Sequence, residues 1–300
     1  MRLAAIDIGS NAVRLLIQDV AIYKDGSLDI TKVNLFRVPL RLGFDVFERG
    51  FISVDKSEKL VKTMNAFREF LDVYEVKHCR ICATSAMRDA TNSTTLVKQI
   101  ADATGLWIEI ISGSEEAQIL YETHLAENLD AKNSYLYIDV GGGSTELTLF
   151  SKGEIIAKKS FNIGTIRILK DKVDDAQWDE MKNFVKLHSK NSIMLSAIGT
   201  GGNINKVLSI SNRKKDKPIR IDELRTYYKE MSKLSMEERM HAYGFREDRA
   251  DVIVPALEIY TSVMRWADIK EIFVPQIGLA DGIIKLLYQQ LSFTSLMGKR

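Results

Sequence analysis

The 300-residue sequence holds two cysteines, four histidines and no apolar run long enough to cross a bilayer, and each scarcity removes a class of function. Cys79 and Cys82 have the C-x-x-C spacing of half a zinc site, but no second pair completes it, and His124, His188 and His241 are scattered without ligand spacing. The stretch His78–Ala83 reads as a buried strand, in which an offset of three sets the two thiols on opposite faces, about 10 Å apart and beyond disulfide reach. An excess of charge of one sign is also lacking: 42 Lys and Arg stand against 40 Asp and Glu, a net charge of +2. No field covers the whole protein as it does in a nucleic-acid binder, so a nucleic-acid partner is not expected and any polyanion site must be local. The opening Met1-Arg2-Leu3-Ala4-Ala5-Ile6-Asp7 meets an aspartate before a signal-peptide core could form, which predicts a cytoplasmic address with no membrane partner. What is present is 45% hydrophobic and 27% charged residues, enough for a large core, and a length that suggests two domains.

One run organises the chain: Tyr137-Ile138-Asp139-Val140-Gly141-Gly142-Gly143-Ser144-Thr145-Glu146-Leu147-Thr148-Leu149. An apolar strand ends in Asp139, three glycines follow, and residues 146–150 then alternate polar and apolar, so the turn joins two strands. In P-loop and dinucleotide folds the glycines open a helix, and the Walker lysine and the G-x-G-x-x-G spacing are missing here. Glycines let backbone N–H groups converge on an anion, and Ser144 and Thr145 add hydroxyl donors. Asp139 is then the natural anchor for a hydrated Mg²⁺.

A shorter version of the run opens the chain: Ala5-Ile6-Asp7-Ile8-Gly9-Ser10-Asn11, followed by alternating Val13, Leu15 and Ile17. Asp7 and Asp139 lie 132 residues apart, about one domain length, which points to an internal duplication. Each half would offer one phosphate-binding hairpin, facing the other across a cleft, with Gly9, Ser10 and Asn11 matching Gly141–Thr145 and Asp7 matching Asp139 as a metal candidate. Domains over 1–127 and 128–300 follow, with a C-terminal helix over about 283–300 expected to pack back on the first.

Elsewhere, Leu28–Val38 reads as a third strand and Arg41-Leu42-Gly43-Phe44-Asp45 as a glycine-containing loop. Ser53 caps an amphipathic helix, and Thr84–Ala90 is a small-residue turn carrying Arg88. A helix from about Thr94 to Thr104 and a strand Trp107–Ile111 come next, and then Ser114 is placed to cap a helix through His124, with Glu115 and Glu116 in its first turn. Carboxylates there are favoured by the helix dipole alone, but a strand, a Ser-Gly turn and a helix start also put a carboxylate where clefts in α/β proteins lie. A linker is expected near 127–133. In the second half Gly164 opens a helix, Ile193–Ile198 is a strand, and Gly199-Thr200-Gly201-Gly202-Asn203 turns into another helix whose amides can meet a phosphate, ribose or base. The basic loop Arg213-Lys214-Lys215-Asp216-Lys217-Pro218-Ile219-Arg220 reads as solvated surface, or else as a track for a long polyanion. A long helix over about 248–267 should be kinked by Pro255.

The two D-x-G hairpins, the third glycine turn and the glutamate helix together resemble the exopolyphosphatase/guanosine pentaphosphate phosphatase (Ppx/GppA) family of the actin and sugar-kinase superfamily. Ile6–Asn11 and Ile138–Leu147 are similar to its two phosphate motifs, Ala83–Ala90 to its A-T-S-A-x-R-x-A, and Ile111–Ala117 to its I-S-G-x-E-E-A. The resemblance runs from end to end and implies an α/β, two-domain actin-like ATPase (ribonuclease H-like) fold with an interdomain cleft. It implies Mg²⁺-dependent hydrolysis, with Mn²⁺ able to substitute, of a terminal phosphoanhydride in inorganic polyphosphate or guanosine pentaphosphate (pppGpp). Carried over by position, Glu116 deprotonates the attacking water, Asp139 contacts magnesium and Arg88 holds a phosphate, while Gly199, Thr200, Gly201 and Gly202 contact nucleotide or polyphosphate; a homodimer is expected. The chain departs from the family pattern at Asn203, at Phe44 where glutamate is common, and at Ala280 where arginine is common. Two other classes stay open: a non-catalytic polyphosphate or alarmone sensor, and an ATPase or sugar-kinase-like member of the same superfamily.

Overall fold

Strand β1 (Arg2–Ile8) is buried from Leu3 to Ile8, a pattern that requires cover on both faces. The chain turns back into β2 (Val13–Ile22) and again into β3 (Leu28–Val38), each antiparallel to the strand before it. After helices α1 (Leu42–Arg49) and α2 (Val54–Val73), β4 (His78–Ala83) lies parallel to β1; after α3 (Ser85–Asp89) and α4 (Ser93–Thr104), the short β5 (Glu109–Ile110) lies parallel to β4. The order is β3-β2-β1-β4-β5, and α5 (Gly113–Tyr121) follows. The computed structural model describes residues 1–23, 28–121, 133–152, 154–190, 192, 194–211, 213 and 217–297. The expected continuation of α5 to His124, the linker up to residue 132, Ile193 of the expected strand, Lys214–Asp216 of the basic loop and residues 298–300 lie outside them.

The second half begins with β6 (Ser134–Val140), β7 (Thr145–Ser151) and β8 (Glu154–Phe161), again a three-strand meander. Helices α6 (Thr165–Leu169) and α7 (Asp175–Ser189) lead to β9 (Leu195–Thr200), parallel to β6. Then come α8 (Gly202–Ile210), β10 (Ile219–Arg220), α9 (Ile221–Met231), α10 (Met236–Tyr243), α11 (Glu247–Ala250), α12 (Ile253–Trp266) and β11 (Glu271–Phe273), which is parallel to β9. Read as β8-β7-β6-β9-β11, this sheet repeats the order and strand senses of the first, with β10 added on its edge. The chain ends in α13 (Leu279–Met297).

Two compact units result: Met1–Thr123 with Leu279–Arg300, and His124–Gly278. In the first, Ile283, Ile284 and Tyr288 of α13 pack with Leu3, Ala5, Leu16 and Val20 of the sheet and Ile119 of α5. Alternation sends Ala4, Ile6 and Ile8 to the other face, where they are also buried. In the second, α12 is the central helix, its Leu257, Ile259, Tyr260, Val263 and Met264 sharing one core with Leu136, Ile138 and Ala197 of the sheet. No helix among the described residues is long and apolar enough to cross a membrane.

Several local expectations change. Arg41–Asp45 is not a loop but the start of α1: Arg41 takes a left-handed backbone (φ 54°), its N–H reaches Asn11 O (3.0 Å), and Gly43 N–H reaches Ser10 O (2.8 Å). Leu42, Val46 and Phe47 then fall on one buried face. Thr84–Ala90 contains a short helix, α3, rather than an open turn. Trp107 is 71% exposed and the strand beyond it shrinks to Glu109–Ile110. Pro255 does not kink a continuous helix; the chain breaks between α11 and α12, which leaves the proline in the first turn of α12, where a missing N–H costs no hydrogen bond.

Candidate active site

In the second unit, β6 and β7 pair so that Val140 faces Thr145 and Asp139 faces Glu146, and the four-residue turn between them is closed by Gly141 N–H on Ser144 O (2.9 Å). Ser144, Thr145 and Glu146 are all buried. Asp139 and Glu146 therefore bring carboxylate oxygens within 4.8 Å of each other at the root of the glycine turn. Glu146 is held by Ser160 Oγ, which donates to Oε1 (2.7 Å), and Asp139 by Thr200 Oγ1, which donates to Oδ1 (2.7 Å). Behind Thr200, the Tyr260 hydroxyl donates to its carbonyl (2.5 Å). Complete burial, and then the Asp139 charge, push that phenol well above its ordinary value, so it remains a donor. Two adjacent carboxylates with fixed rotamers suit a hard divalent cation, which prefers oxygen ligands.

The third glycine turn backs onto the same aspartate. Gly201 sits at φ 102°, a conformation that side chains rarely adopt, and a Cβ there would stand 3.1 Å from Val140 O and 3.2 Å from Asp139 Oδ1. Asn203, in the first turn of α8, accepts a hydrogen bond from Arg249. The turn thus supplies Thr200 to Asp139 and lets the backbone come close to it.

In the first unit the corresponding turn is closed by Gly9 N–H on Ala12 O (3.1 Å), but the residue facing Asp7 is Arg14. Its guanidinium meets Asp7 Oδ2 at 2.7 Å, so Asp7, expected as a metal residue, carries an ion pair. Ser10 Oγ contacts Ser85 Oγ (2.8 Å) at the start of α3, and Asn11 carries α1 through its carbonyl. Arg88, on α3, donates to Ile111 O (2.7 Å) and lies 3.8 Å from Glu116.

The structure separates the neighbouring glutamates. Glu115 is exposed and accepts Ser112 N–H (2.7 Å), while Ser112 Oγ accepts Glu115 N–H (3.2 Å). The helix cap is therefore Ser112, not Ser114, and the Ser112 bond holds Glu115 below its usual carboxylate range. Glu116 is buried, at 8% exposure, beside Arg88. Cys79 and Cys82 are free thiols that burial pushes up to about 12, which makes them unreactive.

Glu146, Arg14 and Thr200 acquire parts that the sequence did not assign to them. The signal for the first two was the hairpin register, which places residue 146 opposite 139 and residue 14 opposite 7.

Residues 20–290 match the Ppx/GppA phosphatase family. The chain belongs to that family. Among curated relatives, it is 37% identical over 170 residues to the bifunctional 3-dehydroquinate synthase/phosphatase of Fusobacterium nucleatum, covering 55% of this chain and 25% of that protein. It is 33% identical over 174 residues to exopolyphosphatase 2 of Mycobacterium tuberculosis, covering 56% and 53%. The chain thus spans about a quarter to a half of the length of these two relatives. An exopolyphosphatase crystal structure from Cytophaga hutchinsonii superposes with a TM-score of 0.81 at 23% identity, over 97% of this chain and 98% of that one. The Ppx/GppA member described here therefore has the two-sheet α/β fold of its family.

Proposed function

We propose that this Ppx/GppA protein is a Mg²⁺-dependent phosphoanhydride hydrolase that releases terminal phosphate from inorganic polyphosphate, pppGpp or both. The observation that carries the reading is the Gly141–Ser144 turn rooted on the Asp139 and Glu146 carboxylates. A turn of amides accepts phosphate oxygens, and paired carboxylates at its base would hold the cation that offsets the phosphate charge. When bound, Mg²⁺ supplies charge neutralisation at the transferred phosphoryl group.

The chain's own residues do the rest. The amides of the glycine turn, with the Ser144 and Thr145 region behind them, bind and orient the terminal phosphate. Arg88, anchored by Ile111 O, takes charge on a phosphate oxygen. Glu116 positions the attacking water and takes its proton; its burial keeps that carboxylate from being diverted to solvent. Ser10 and Asn11 form the matching turn of the first hairpin, and we assign Asp7 to Arg14 rather than to the metal.

Phosphate release from polyphosphate, pppGpp and ATP, each with and without Mg²⁺, tests the proposal. Hydrolysis of the first or second that needs Mg²⁺ supports it. Binding without turnover supports a sensor, and preference for ATP supports the ATPase reading.

A further inference from the structure

All three glycine carbonyls of the second hairpin turn are held by one short element. Thr165 N–H donates to Gly141 O (3.1 Å) and Ile166 N–H to Gly142 O (2.8 Å), both from the start of α6. The third carbonyl, that of Gly143, is taken by a side chain: Arg167 Nε donates to it at 2.6 Å. Thr145 Oγ1 ties the far end of the turn to the same segment by donating to Ile163 O (2.6 Å). The contact is so close that a Cβ on Gly164 would stand 2.5 Å from Gly142 O and Gly143 C, so only glycine fits there.

A trans peptide is planar, with each C=O antiparallel to the N–H of the next residue. Fixing the carbonyls of Gly141, Gly142 and Gly143 toward α6 therefore turns the N–H groups of Gly142, Gly143 and Ser144 away from it, in a common direction. Among the described residues these three amides donate to no other group, whereas the Gly141 amide closes the turn. Two of the three are set by helix backbone, which no side-chain change removes. The Ser144 amide alone depends on a side chain. A guanidinium on the Gly143 carbonyl also polarises that peptide, which makes the Ser144 N–H a stronger donor.

We propose that Arg167 is a positioning residue for phosphate, acting through the Gly143 carbonyl to aim and strengthen the Ser144 amide. The inference rests on the reading of the Gly141–Ser144 turn as a phosphate site. It gives Arg167 a role distinct from that of Arg88: it touches the loop, not the substrate.

The test follows the three amide signals by NMR in isotope-labelled protein titrated with inorganic phosphate and Mg²⁺, for wild type, Arg167→Met and Arg167→Lys. In wild type, phosphate should move the Gly142, Gly143 and Ser144 amide protons downfield. In Arg167→Met the Ser144 shift should be lost while those of Gly142 and Gly143 persist, and turnover should fall about 10-fold to 10²-fold, as for a misaligned anion-hole donor. Arg167→Lys, which keeps a cationic donor on a similar stem, should recover part of both and serves as the folded variant if methionine is not tolerated. A Ser144 shift unchanged in both variants overturns the inference, as does equal loss of all three shifts in both, which would mean a merely structural arginine. No shift at any of the three amides in wild type instead overturns the phosphate-site reading itself.

Discussion

Thr200→Val tests the support of the carboxylate pair with the smallest change the site allows. Valine has the shape of threonine, and position 200 is buried at 2% exposure, so packing is preserved and the lost atom is the hydroxyl that donates to Asp139 Oδ1 at 2.7 Å. A hydrogen bond of that length to a charged acceptor contributes about 1.5–3 kcal/mol. Metal ligands that lose an outer partner of this kind typically lose about 10-fold to 100-fold in affinity, or roughly 1.4–2.8 kcal/mol, and the two scales agree. Glu146, fixed separately by Ser160, stays in place, so binding should be weakened and not abolished. Calorimetric titration of Mg²⁺ and Mn²⁺ into the substrate-free protein measures this directly. Thr200→Ser, which retains the hydroxyl, should bind nearly as wild type does. A Thr200→Val protein with a native circular dichroism spectrum and a dissociation constant within about twofold of wild type would refute the reasoning.

Glu116→Gln should retain substrate binding and lose about 10²–10⁴ in turnover, measured by phosphate release beside equilibrium binding of substrate; near wild-type turnover would remove Glu116 from the base role. Asp139→Asn should weaken Mg²⁺ binding while Asp7→Asn leaves it unchanged, since Arg14 already neutralises Asp7; equal effects in the titration would return Asp7 to the metal. Burial of Asp45 opposes its ionisation, but bonds from Lys56 and Ser53 prevail and hold its carboxyl below the ordinary 3.8. Its stabilising effect is therefore present above pH 3.8 and lost as pH falls through the lowered value: urea unfolding should find Asp45→Asn about 1–3 kcal/mol less stable at neutral pH, with the gap closing in acid. Polyphosphate digestion should be distributive, with intermediate lengths visible on gels, because Ala280 is buried in the α13 core and Arg213 is engaged by Glu223 at 2.5 Å; full-length chain persisting beside free phosphate, without intermediates, would contradict this.

The parts of the fold that rest on local chemistry were legible in the sequence. The Asp139–Leu149 hairpin declared itself by an alternation that resumed after the glycines, and Ser53 caps α2 as its chemistry requires. What was hidden depends on register and on contacts between segments. Glu146 reads as one polar residue of an alternating strand until pairing sets it against Asp139. Arg14 is likewise ordinary until it faces Asp7. Helix α1 was masked by Gly43 and by a left-handed Arg41, whose backbone is held by Asn11 from a distant turn. The Arg167 bond to Gly143 spans 24 residues, and no periodicity reports it.

Helix α13 has a consequence for how the protein is made. The sheet face formed by Leu3, Ala5, Leu16 and Val20 leaves the ribosome long before the Ile283, Ile284 and Tyr288 that cover it are translated. At about 5–20 residues per second, roughly 15–55 s separate the two, long enough for the whole intervening unit to be synthesised. The unit that holds Met1–Thr123 is therefore completed only after the intervening one has been made. Until then the nascent chain displays a bare apolar sheet, a natural substrate for a holding chaperone and a hazard wherever translation stalls before residue 279.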